Sequence, residues 1–233
     1  MRAVLLDALG TLVGIEPPWT PLTGLLAERH GVVVGEAAVR RALGAEMAYY
    51  RSHCLEAGDA AGLARLRDEC AGVLARELGP AAGGLDRAEL TGALLDALRF
   101  AAYPDAGPAL RRLRARGVRL VVVSNWDISL HAALADAGIA PLVDGVVCSA
   151  AVGSAKPERA IFAAGLALAG VTADRALHVG DSYAEDVVGA RAAGIEPVLL
   201  VRTDAAGLLA PGGGGGDDRV RRIATLAALA DGA

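Results

Sequence analysis

Short apolar runs alternate with helical patterns along most of the chain, and this alternation restricts the fold more than any other feature. Arg2–Leu6 is an apolar run too short for a helix, and four similar runs follow a long helical stretch. The later runs occupy residues 118–123, 145–148, 176–179 and 197–201. Glycines at 117, 138 and 194 are positioned to end the intervening helices. Repeated strand–helix alternation predicts a parallel sheet with right-handed crossovers, and hence an α/β fold with a Rossmann-like, three-layer core.

The chain between the first two runs has a different pattern. Leucine and valine recur at helical spacing from Pro21 to about Phe100, and glycines at 31 and 58 and the stretch 80–84 divide this block into about four helices. We therefore predict an inserted α-helical cap at residues 15–100, with residues 1–14 and 101–233 forming the core. Gly212–Gly216 predicts a flexible loop, and Val220–Leu229 one more short strand or helix at the sheet edge.

Composition and charge exclude several classes of function. The formal net charge of −4 gives no electrostatic basis for binding nucleic acid or an anionic membrane surface. The longest uncharged apolar stretch, Ala160–Val171, is too short to span a bilayer. The cysteines at 54, 70 and 148 lack metal-ligand spacing, and the amino terminus enters a strand without a secretion signal. We expect a cytoplasmic protein with reduced thiols, either a monomer or a homodimer.

Polar side chains follow three of the predicted strands. Asp7 follows the first, Ser124 and Asn125 the second, and Asp181 the fourth. The carboxyl ends of parallel strands share one edge of the sheet, which is where α/β proteins bind ligands. Lys156 opens the helix after the third strand, with proline beside it in the first turn, and can reach the same edge. The sequence therefore predicts one charged site.

These groups suit chemistry on a phosphoryl group. A carboxylate that attacks phosphorus forms an acyl phosphate and divides one difficult step into two easier ones. Because carboxylate and phosphate repel each other, a divalent cation and a lysine are needed to neutralise them. Asp7 and Asp181 supply the oxygen ligands that Mg²⁺ prefers. The hydroxyl of Ser124 and the amide of Asn125 supply neutral donors for phosphate oxygens.

The same residues resemble the motifs of the haloacid dehalogenase-like (HAD) superfamily, in the branch with a helical cap between the first two motifs. The segments that carry the resemblance are Asp7–Thr11, Ser124–Asn125, Lys156–Pro157 and Gly180–Asp186. The order, strand context and spacing of all four agree with the superfamily. The resemblance implies a hydrolase that takes a small phosphorylated substrate between the cap and the core.

The resemblance also implies a role for each motif residue. Asp7 would be the nucleophile and a Mg²⁺ ligand, the backbone carbonyl of Leu9 would reach the metal, and Thr11 would steady the loop. Ser124 would bind phosphate, and Lys156 would link phosphate to the nucleophile.

Two further acidic residues complete the implied site. Asp181 would bind Mg²⁺ directly, and Asp186 would either lie behind the metal ligands or pair with Lys156.

One position departs from the superfamily's phosphatases, which carry a second aspartate two residues after the nucleophile as general acid and base. Leu9 occupies that position and cannot transfer a proton, whereas general acid–base catalysis contributes ~10²–10⁴-fold. Three interpretations remain open. The leaving group departs unprotonated or takes a proton from a cap residue; the enzyme is a 2-haloacid dehalogenase; or the site binds Mg²⁺ and phosphate in a regulatory role with little turnover.

Two positions bear on the dehalogenase interpretation. Resemblance to those metal-independent enzymes would predict serine at the position of Asp181 and tyrosine at the position of Phe162. A buried pair of Asp7 and Asp181 without a cation would force two like charges together. We therefore favour Mg²⁺-dependent phosphate chemistry.

Residues near the motifs allow simpler interpretations. Trp126 follows the Ser124–Asn125 pair and is a candidate for substrate contact. Asp127 either orients a substrate amine or hydroxyl or caps a helix. His178 lies among apolar neighbours in a predicted strand, which favours a core histidine over a catalyst.

Overall fold

The computed structural model describes residues 1–202 and 219–231 of the chain. Within these residues the strands are, in chain order, β1 (Ala3–Leu6), β2 (Val13–Ile15), β3 (Phe100–Ala102), β4 (Arg119–Ser124), β5 (Gly145–Cys148), β6 (Ala176–Gly180), β7 (Glu196–Leu200) and β8 (Arg221–Ile223). Six of them form a parallel sheet in the order β5-β4-β1-β6-β7-β8. The α-helices are α1 (Trp19–His30), α2 (Glu36–His53), α3 (Ala60–Leu78), α4 (Arg87–Ala97), α5 (Ala106–Ala115), α6 (Leu130–Asp136), α7 (Ser149–Val152), α8 (Arg159–Ala169), α9 (Val188–Ala192) and α10 (Ala227–Asp231). The predicted α/β fold with a parallel sheet is confirmed.

Strand β1 lies inside the sheet and is hydrogen-bonded on both sides. Leu5 is opposite Val121 of β4 and His178 of β6, and all four residues of β1 are buried. A parallel strand with both faces covered needs apolar side chains at successive positions, which explains the uninterrupted run in the sequence.

Helices cover both faces of the sheet and complete three layers. On one face, Leu110 of α5 and Leu130 of α6 pack with Leu6 of β1. On the other, Ile161 and Phe162 of α8 pack with Leu5. Because consecutive side chains of β1 point to opposite faces, this one strand contributes to both cores.

The strand order places a topological switch point beside β1. The chain adds β4 and β5 on one side of β1 and then crosses to the other side with β6, β7 and β8. Loops leave in opposite directions at such a point, so a crevice opens at the carboxyl edge of the sheet.

Helices α1 to α4, residues 19–97, form a helical segment with its own apolar core. Leu22, Leu43, Leu74 and Leu90 are among the fully buried side chains of that core. Helix α4 begins at a capping box in which Asp86 and Glu89 each accept a hydrogen bond from the other's backbone N–H. The four helices agree with the helical pattern in the sequence.

The structure adds a short strand pair at the carboxyl end of the predicted helical block, which was expected to extend to about Phe100. Helix α4 ends at Ala97, and Phe100–Ala102 form β3, which pairs antiparallel with β2 so that Ile15 is opposite Phe100. Each strand has only three residues, and their pairing joins distant parts of the chain. A local periodicity does not reveal such a pairing.

The prediction that Lys156 and Pro157 open a helix is wrong. Helix α8 begins at Arg159 with Glu158 as its N-cap residue, and the short helix α7 comes directly after β5. Lys156 therefore lies in a loop, where its position depends on tertiary contacts.

The end of the chain agrees with the sequence in the described part. Val220–Leu229 was expected to contain a short strand or helix at the sheet edge, and β8 and α10 lie there. The predicted loop at Gly212–Gly216 lies outside the described residues. Cys54, Cys70 and Cys148 are buried and have free thiols. In residues 1–202 and 219–231, every helix is too short or too polar to cross a bilayer.

Candidate active site

Three adjacent strands bring the predicted polar residues together. Asp7 follows β1, Ser124 ends β4, and Asp181 follows β6, and β4 and β6 are the two neighbours of β1 in the sheet. The backbone N–H of Asp7 donates to the carbonyl oxygen of Val179, which extends the β1–β6 pairing to the start of the loop. The carboxyl edge of the sheet thus places these side chains in one crevice.

A buried lysine joins the nucleophile candidate to a second carboxylate. Nζ of Lys156 lies 2.6 Å from Oδ1 of Asp7 and 2.6 Å from Oδ1 of Asp186. The hydroxyl of Ser124 donates to the same Asp7 oxygen at 3.0 Å. All four side chains are buried. Charge-assisted hydrogen bonds of this length hold the ammonium and the two carboxylates in one fixed row.

The row of charges shifts the pKa of each member. Burial lowers the pKa of Lys156, but Asp186 and Asp7 raise it by more, so the net pKa lies above its usual value. Burial raises the pKa of Asp7 and outweighs the lowering effect of Lys156. Burial also acts on Asp186, but Lys156 and His178 hold its pKa well below the usual value. Lys156 and Asp186 therefore form a stable ion pair at neutral pH.

Both oxygens of Asp186 are engaged by protein donors. Oδ1 also accepts a hydrogen bond from Nε2 of His178 at 2.8 Å, and Oδ2 accepts one from the backbone N–H of Ser182 at 2.9 Å. A Cβ at Gly180 would come within 2.1 Å of the Asp186 carboxyl carbon, so only glycine allows this approach. Asp186 is held in place by its neighbours and fixes Lys156 in turn.

Asp181 is in a different electrostatic situation. Within residues 1–202 and 219–231, oxygens of Asp7, Asp181 and Asp186 lie within 4.8 Å of one another, yet Lys156 bonds only the first and third of these residues. Burial, and after it the negative charges of Asp7 and Asp186, raise the pKa of Asp181 to about 7. A cation between Asp7 and Asp181 would remove this repulsion, and carboxylate oxygens are the ligands that Mg²⁺ prefers.

The turn after β1 is shaped around Asp181. Gly10 has φ of 85°, and a Cβ there would lie 2.2 Å from Oδ2 of Asp181. The carbonyl oxygens of Gly10 and Thr11 accept hydrogen bonds from Arg202, which also pairs with Asp105. These donors fix the turn from outside the crevice.

The side chain of Thr11 does not hold the turn by a hydrogen bond. It is fully buried, and its hydroxyl has no hydrogen-bond partner among the described residues. Arg202 holds the backbone carbonyl oxygen of Thr11 instead, and a function of the Thr11 side chain in steadying the loop stays a prediction.

Asn125 holds the loop that carries Lys156. Its Oδ1 accepts from the backbone N–H of Lys156 at 2.7 Å, and its Nδ2 donates to the Lys156 carbonyl oxygen and to Glu185, each at 3.0 Å. Both amide hydrogens are therefore engaged, and direct contacts of Asn125 and Ser124 with phosphate stay predictions.

A cavity of about 330 Å³ lies between the helical segment and this edge of the sheet. Asn125 and Leu9 belong to its wall, so it adjoins the charged row. Its apolar lining includes Leu9, Met47, Leu94, Phe100 and Trp126. Leu9 presents a half-buried apolar side chain where the superfamily's phosphatases carry an acid. Trp126 is also held by its indole N–H, which donates to Ser129 at 3.3 Å, and by Phe100, whose ring centre is 5.0 Å away.

Contacts join the helical segment to the loop after β4 beside this cavity. The hydroxyl of Tyr50 donates to Oδ2 of Asp127 at 2.9 Å, and the backbone N–H of Ile128 donates to the carbonyl oxygen of Ala57. Oδ1 of Asp127 accepts from the backbone N–H of Ser129 at 2.6 Å. Asp127 thus orders the turn into α6 and anchors Tyr50. A more open cleft of about 700 Å³ near Arg2 and Arg175 lies at the opposite edge of the sheet, away from the acidic residues.

Several residues of this region do not stand out in the sequence. Glu46 and Tyr50 face the cavity from α2, and their helical spacing resembles that of any amphipathic helix. His178 is buried as expected, but its bond to Asp186 was not predicted. Its place on a strand neighbouring β1, two residues before Gly180, is the signal that puts it near the charged row.

Comparisons with known proteins agree with this geometry. A family model described as haloacid dehalogenase-like hydrolase matches residues 1–194. The chain is 42% identical over 96 residues to haloacid dehalogenase-like hydrolase domain-containing protein 3 of Homo sapiens, covering 41% of this chain and only 38% of the human protein. It is 35% identical over 209 residues to a phosphoserine phosphatase of Thermus thermophilus, covering 86% and 82% of the two chains. It is 36% identical over 210 residues to a phosphoglycolate phosphatase of Rhodospirillum rubrum, covering 85% and 79%.

Solved structures are similar over almost the whole chain. A HAD phosphatase from Thermococcus onnurineus superposes with a TM-score of 0.64 at 25% identity, covering 99% of this chain and 97% of that one. A defluorinating L-2-haloacid dehalogenase superposes with a TM-score of 0.74 at 22% identity, covering 99% and 94%. The second likeness concerns the fold alone.

Proposed function

The chain belongs to the haloacid dehalogenase-like hydrolases, and from this we propose that it hydrolyses a small phosphorylated metabolite through attack of Asp7 on phosphorus. The observation that carries the proposal is the position of Lys156, whose Nζ bridges Asp7 and Asp186 at 2.6 Å from each, with Asp181 close by. This arrangement holds a carboxylate beside a fixed positive charge and beside a second carboxylate suited to a cation. Dianionic phosphate needs both neutralising groups before a carboxylate can approach it.

The donor set fits Mg²⁺. Asp7 and Asp181 supply oxygen ligands from neighbouring strand ends, and the carbonyl of Leu9 is the third protein ligand that the family resemblance implies. Asp186 is less suited to direct ligation because its oxygens already accept bonds from Lys156, His178 and Ser182. When bound, the cation would neutralise phosphate oxygens and withdraw electrons from phosphorus.

The protein groups then divide the reaction into two displacements. Oδ1 of Asp7 is held by Ser124 and Lys156, which leaves Oδ2 to attack phosphorus. The bond between phosphorus and the leaving-group oxygen breaks, that oxygen departs with the electron pair, and an acyl phosphate forms on Asp7. Water then attacks the acyl phosphate, releases inorganic phosphate and restores the carboxylate. Lys156 stays charged throughout and offsets the negative charge that builds up on the phosphoryl oxygens.

Leu9 restricts the leaving group. An alkoxide needs a proton as it departs, and Leu9 cannot supply one. We propose that the natural substrate either has a leaving group that departs as a stable anion or receives its proton from water or from a group in the helical segment. Residues 15–100 would act as the cap, closing the cavity over the leaving group.

A metal-independent 2-haloacid dehalogenase is the second candidate, and the absence of an acid at Leu9 is the observation that favours it. A halide leaves without a proton, so that chemistry needs no acid at this position. The repulsion between Asp7 and Asp181 weighs against it, because a metal-free site gains nothing from two adjacent carboxylates.

Hydrolysis of p-nitrophenyl phosphate and a panel of small phosphate esters, with Mg²⁺ and with EDTA, tests the proposal. We expect Mg²⁺-dependent release of phosphate that falls on the order of 10³-fold or more in Asp7→Asn, because the nucleophile is lost. Asp174→Asn, an exposed aspartate in the turn before β6, is the matched control and should retain full activity. Chloride release from 2-chloropropionate in EDTA would reject the proposal in favour of dehalogenation, and activity with neither substrate class would indicate a binding protein.

A further inference from the structure

Glu46 is a buried acid that the proposed reaction does not use. It lies on α2, is 7% exposed, and forms part of the wall of the 330 Å³ cavity. The group beside its carboxyl is the thiol of Cys70, a weak donor. In the described part of the chain, no basic side chain pairs with it, and burial raises the pKa of Glu46 without an opposing positive charge.

Such a carboxyl is costly to keep without a partner. Removing an ionised carboxylate from water is compensated only by a cation or by several hydrogen-bond donors. Lys156 and Asp186 satisfy that rule within the same molecule, whereas Glu46 does not. Protonation of Glu46 removes this cost, and a cation that reaches the carboxylate through the cavity that Glu46 lines would remove it as well.

The remaining wall of the cavity suits a cation. The rings of Tyr50, Phe100 and Trp126 line it, and aromatic faces attract ammonium groups. Basic side chains also line the cavity, of which Arg51 and Arg99 are exposed and Arg67 is half-buried. Glu46 is thus more deeply buried than the basic side chains of the same wall.

The same cavity adjoins the proposed reaction site. Leu9 and Asn125 belong to its wall, and Asn125 is hydrogen-bonded to the backbone of Lys156. A leaving group attached to a phosphoryl group at Asp7 would extend into this space. Its volume of about 330 Å³ is near the lower end of the range for small-molecule sites, so it has room for a small leaving group.

We propose that Glu46 is a specificity-determining residue that binds a protonated amine on the leaving group, so that the substrate class is small phosphate esters of amino alcohols. This inference rests on the proposed function for the placement of the phosphate. The substrates named for the two phosphatase relatives differ in this group, because phosphoserine carries an ammonium group and phosphoglycolate does not. An entirely anionic leaving group would add a second negative charge beside Glu46.

A matched pair of esters tests this assignment. 2-Aminoethyl phosphate and 2-hydroxyethyl phosphate have the same length and differ in one terminal group. Binding of each is measured by calorimetry with Mg²⁺ in the Asp7→Asn variant, which prevents turnover. We expect the amino ester to bind about 10- to 100-fold more tightly, the range for a hydrogen bond to a charged group.

Glu46→Gln in the same background keeps the size and polarity of the side chain and removes its charge. We expect it to weaken binding of the amino ester to the level of the hydroxy ester and to leave the latter unchanged. Asp136→Asn is the matched control, since Asp136 is an exposed acid that lines the same cavity, and it should retain the preference.

The outcomes separate this inference from the proposed function. Equal binding of the two esters, binding of neither, or a preference that survives Glu46→Gln would overturn the assignment of Glu46. If p-nitrophenyl phosphate is still hydrolysed in an Asp7-dependent manner, the proposed phosphatase function stands and only the substrate class is wrong. If no phosphate ester is hydrolysed but the amino ester binds through Glu46, the assignment of Glu46 stands and the proposed phosphatase function is wrong.

Discussion

The carboxyl edge of the sheet and the cavity beside it differ in whether a buried acid is paired with a base of the protein. At the edge, the ammonium of Lys156 bonds the carboxylates of Asp7 and Asp186, and His178 and Ser182 satisfy the remaining oxygens of Asp186. In the cavity, Glu46 is buried beside the thiol of Cys70, and in the described part of the chain no basic side chain pairs with it. Because an uncompensated buried charge is unfavourable, the proposed cation would offset the charge of Asp181 at the edge, and the proposed amine would offset that of Glu46 in the cavity.

The difference follows from which elements build each region. The edge is formed by the ends of β1, β4 and β6, which lie side by side in a rigid sheet. The cavity is formed mainly by α2, α3, α4 and the loops that face them. The proposed reacting groups therefore lie at the ends of sheet strands, and the residue proposed to select the substrate lies on a helix. Leu9 belongs to both regions, so a substitution there tests first whether the edge and the cavity act separately.

Leu9→Asp should have the largest effect, because it would supply an acid where the edge meets the cavity. We expect hydrolysis of unactivated alkyl phosphates to rise by ~10²–10⁴-fold in kcat, with little change for p-nitrophenyl phosphate, whose leaving group needs no proton. Steady-state kinetics on both ester types measure the effect.

Leu9→Asn is the control for this gain, since it introduces a polar side chain of the same shape that cannot transfer a proton. Equal rates in the Asp and Asn variants would mean that the loop after β1 cannot place an acid against the leaving group. In that case an activated leaving group would no longer explain the natural leucine.

Most residues of the edge were predictable from the sequence, because each can be recognised from its immediate neighbours in the chain. Asp7 and Ser124 directly follow apolar runs and Asp181 follows one after a single glycine, so the strand pattern alone puts all three at one edge of the sheet. Lys156 was placed at the same edge for a wrong reason. Its loop is held by Asn125 rather than by the first turn of a helix, and that contact joins distant parts of the chain.

The cavity was not predictable in the same way. Glu46 and Tyr50 have the spacing of one face of an amphipathic helix, and nothing in that pattern distinguishes a wall of a cavity from a core. Whether Glu46 is buried depends on how α2 and α3 pack, and a single sequence does not specify that packing. The β2–β3 pair was missed for a related reason, because each strand is short and its partner is distant.

Gly10→Ala should have the second largest effect and should act only on the edge. The new Cβ would come within 2.2 Å of Oδ2 of Asp181, so that carboxylate must turn away from Asp7. We expect a loss of about 10- to 100-fold in kcat/KM and a weaker apparent affinity for Mg²⁺, as is usual when the support of a metal ligand is changed. A Mg²⁺ titration of activity measures both.

Gly31→Ala separates this contact from backbone strain. Gly31 ends α1 with φ of 67°, similar to the 85° of Gly10, but a Cβ there meets nothing within 4 Å. Both variants should lose about 1–2 kcal/mol in the free energy of unfolding, because a side chain disfavours positive φ. If Gly31→Ala also changed the Mg²⁺ titration, strain rather than displacement of Asp181 would explain the result at Gly10.

Tyr50→Phe should have the smallest effect and should act on the cavity. It removes the hydroxyl that donates to Asp127 at 2.9 Å and joins the helical segment to the loop after β4. We expect the free energy of unfolding in urea to fall by about 1 kcal/mol, the usual contribution of one such bond, and KM to rise with little change in kcat. Tyr49→Phe is the matched control, because its hydroxyl bonds the exposed Glu69 within the helical segment and its loss should cost less. A lower kcat at constant KM in Tyr50→Phe would mean that this contact positions the reacting groups as well, and that the edge and the cavity do not act separately.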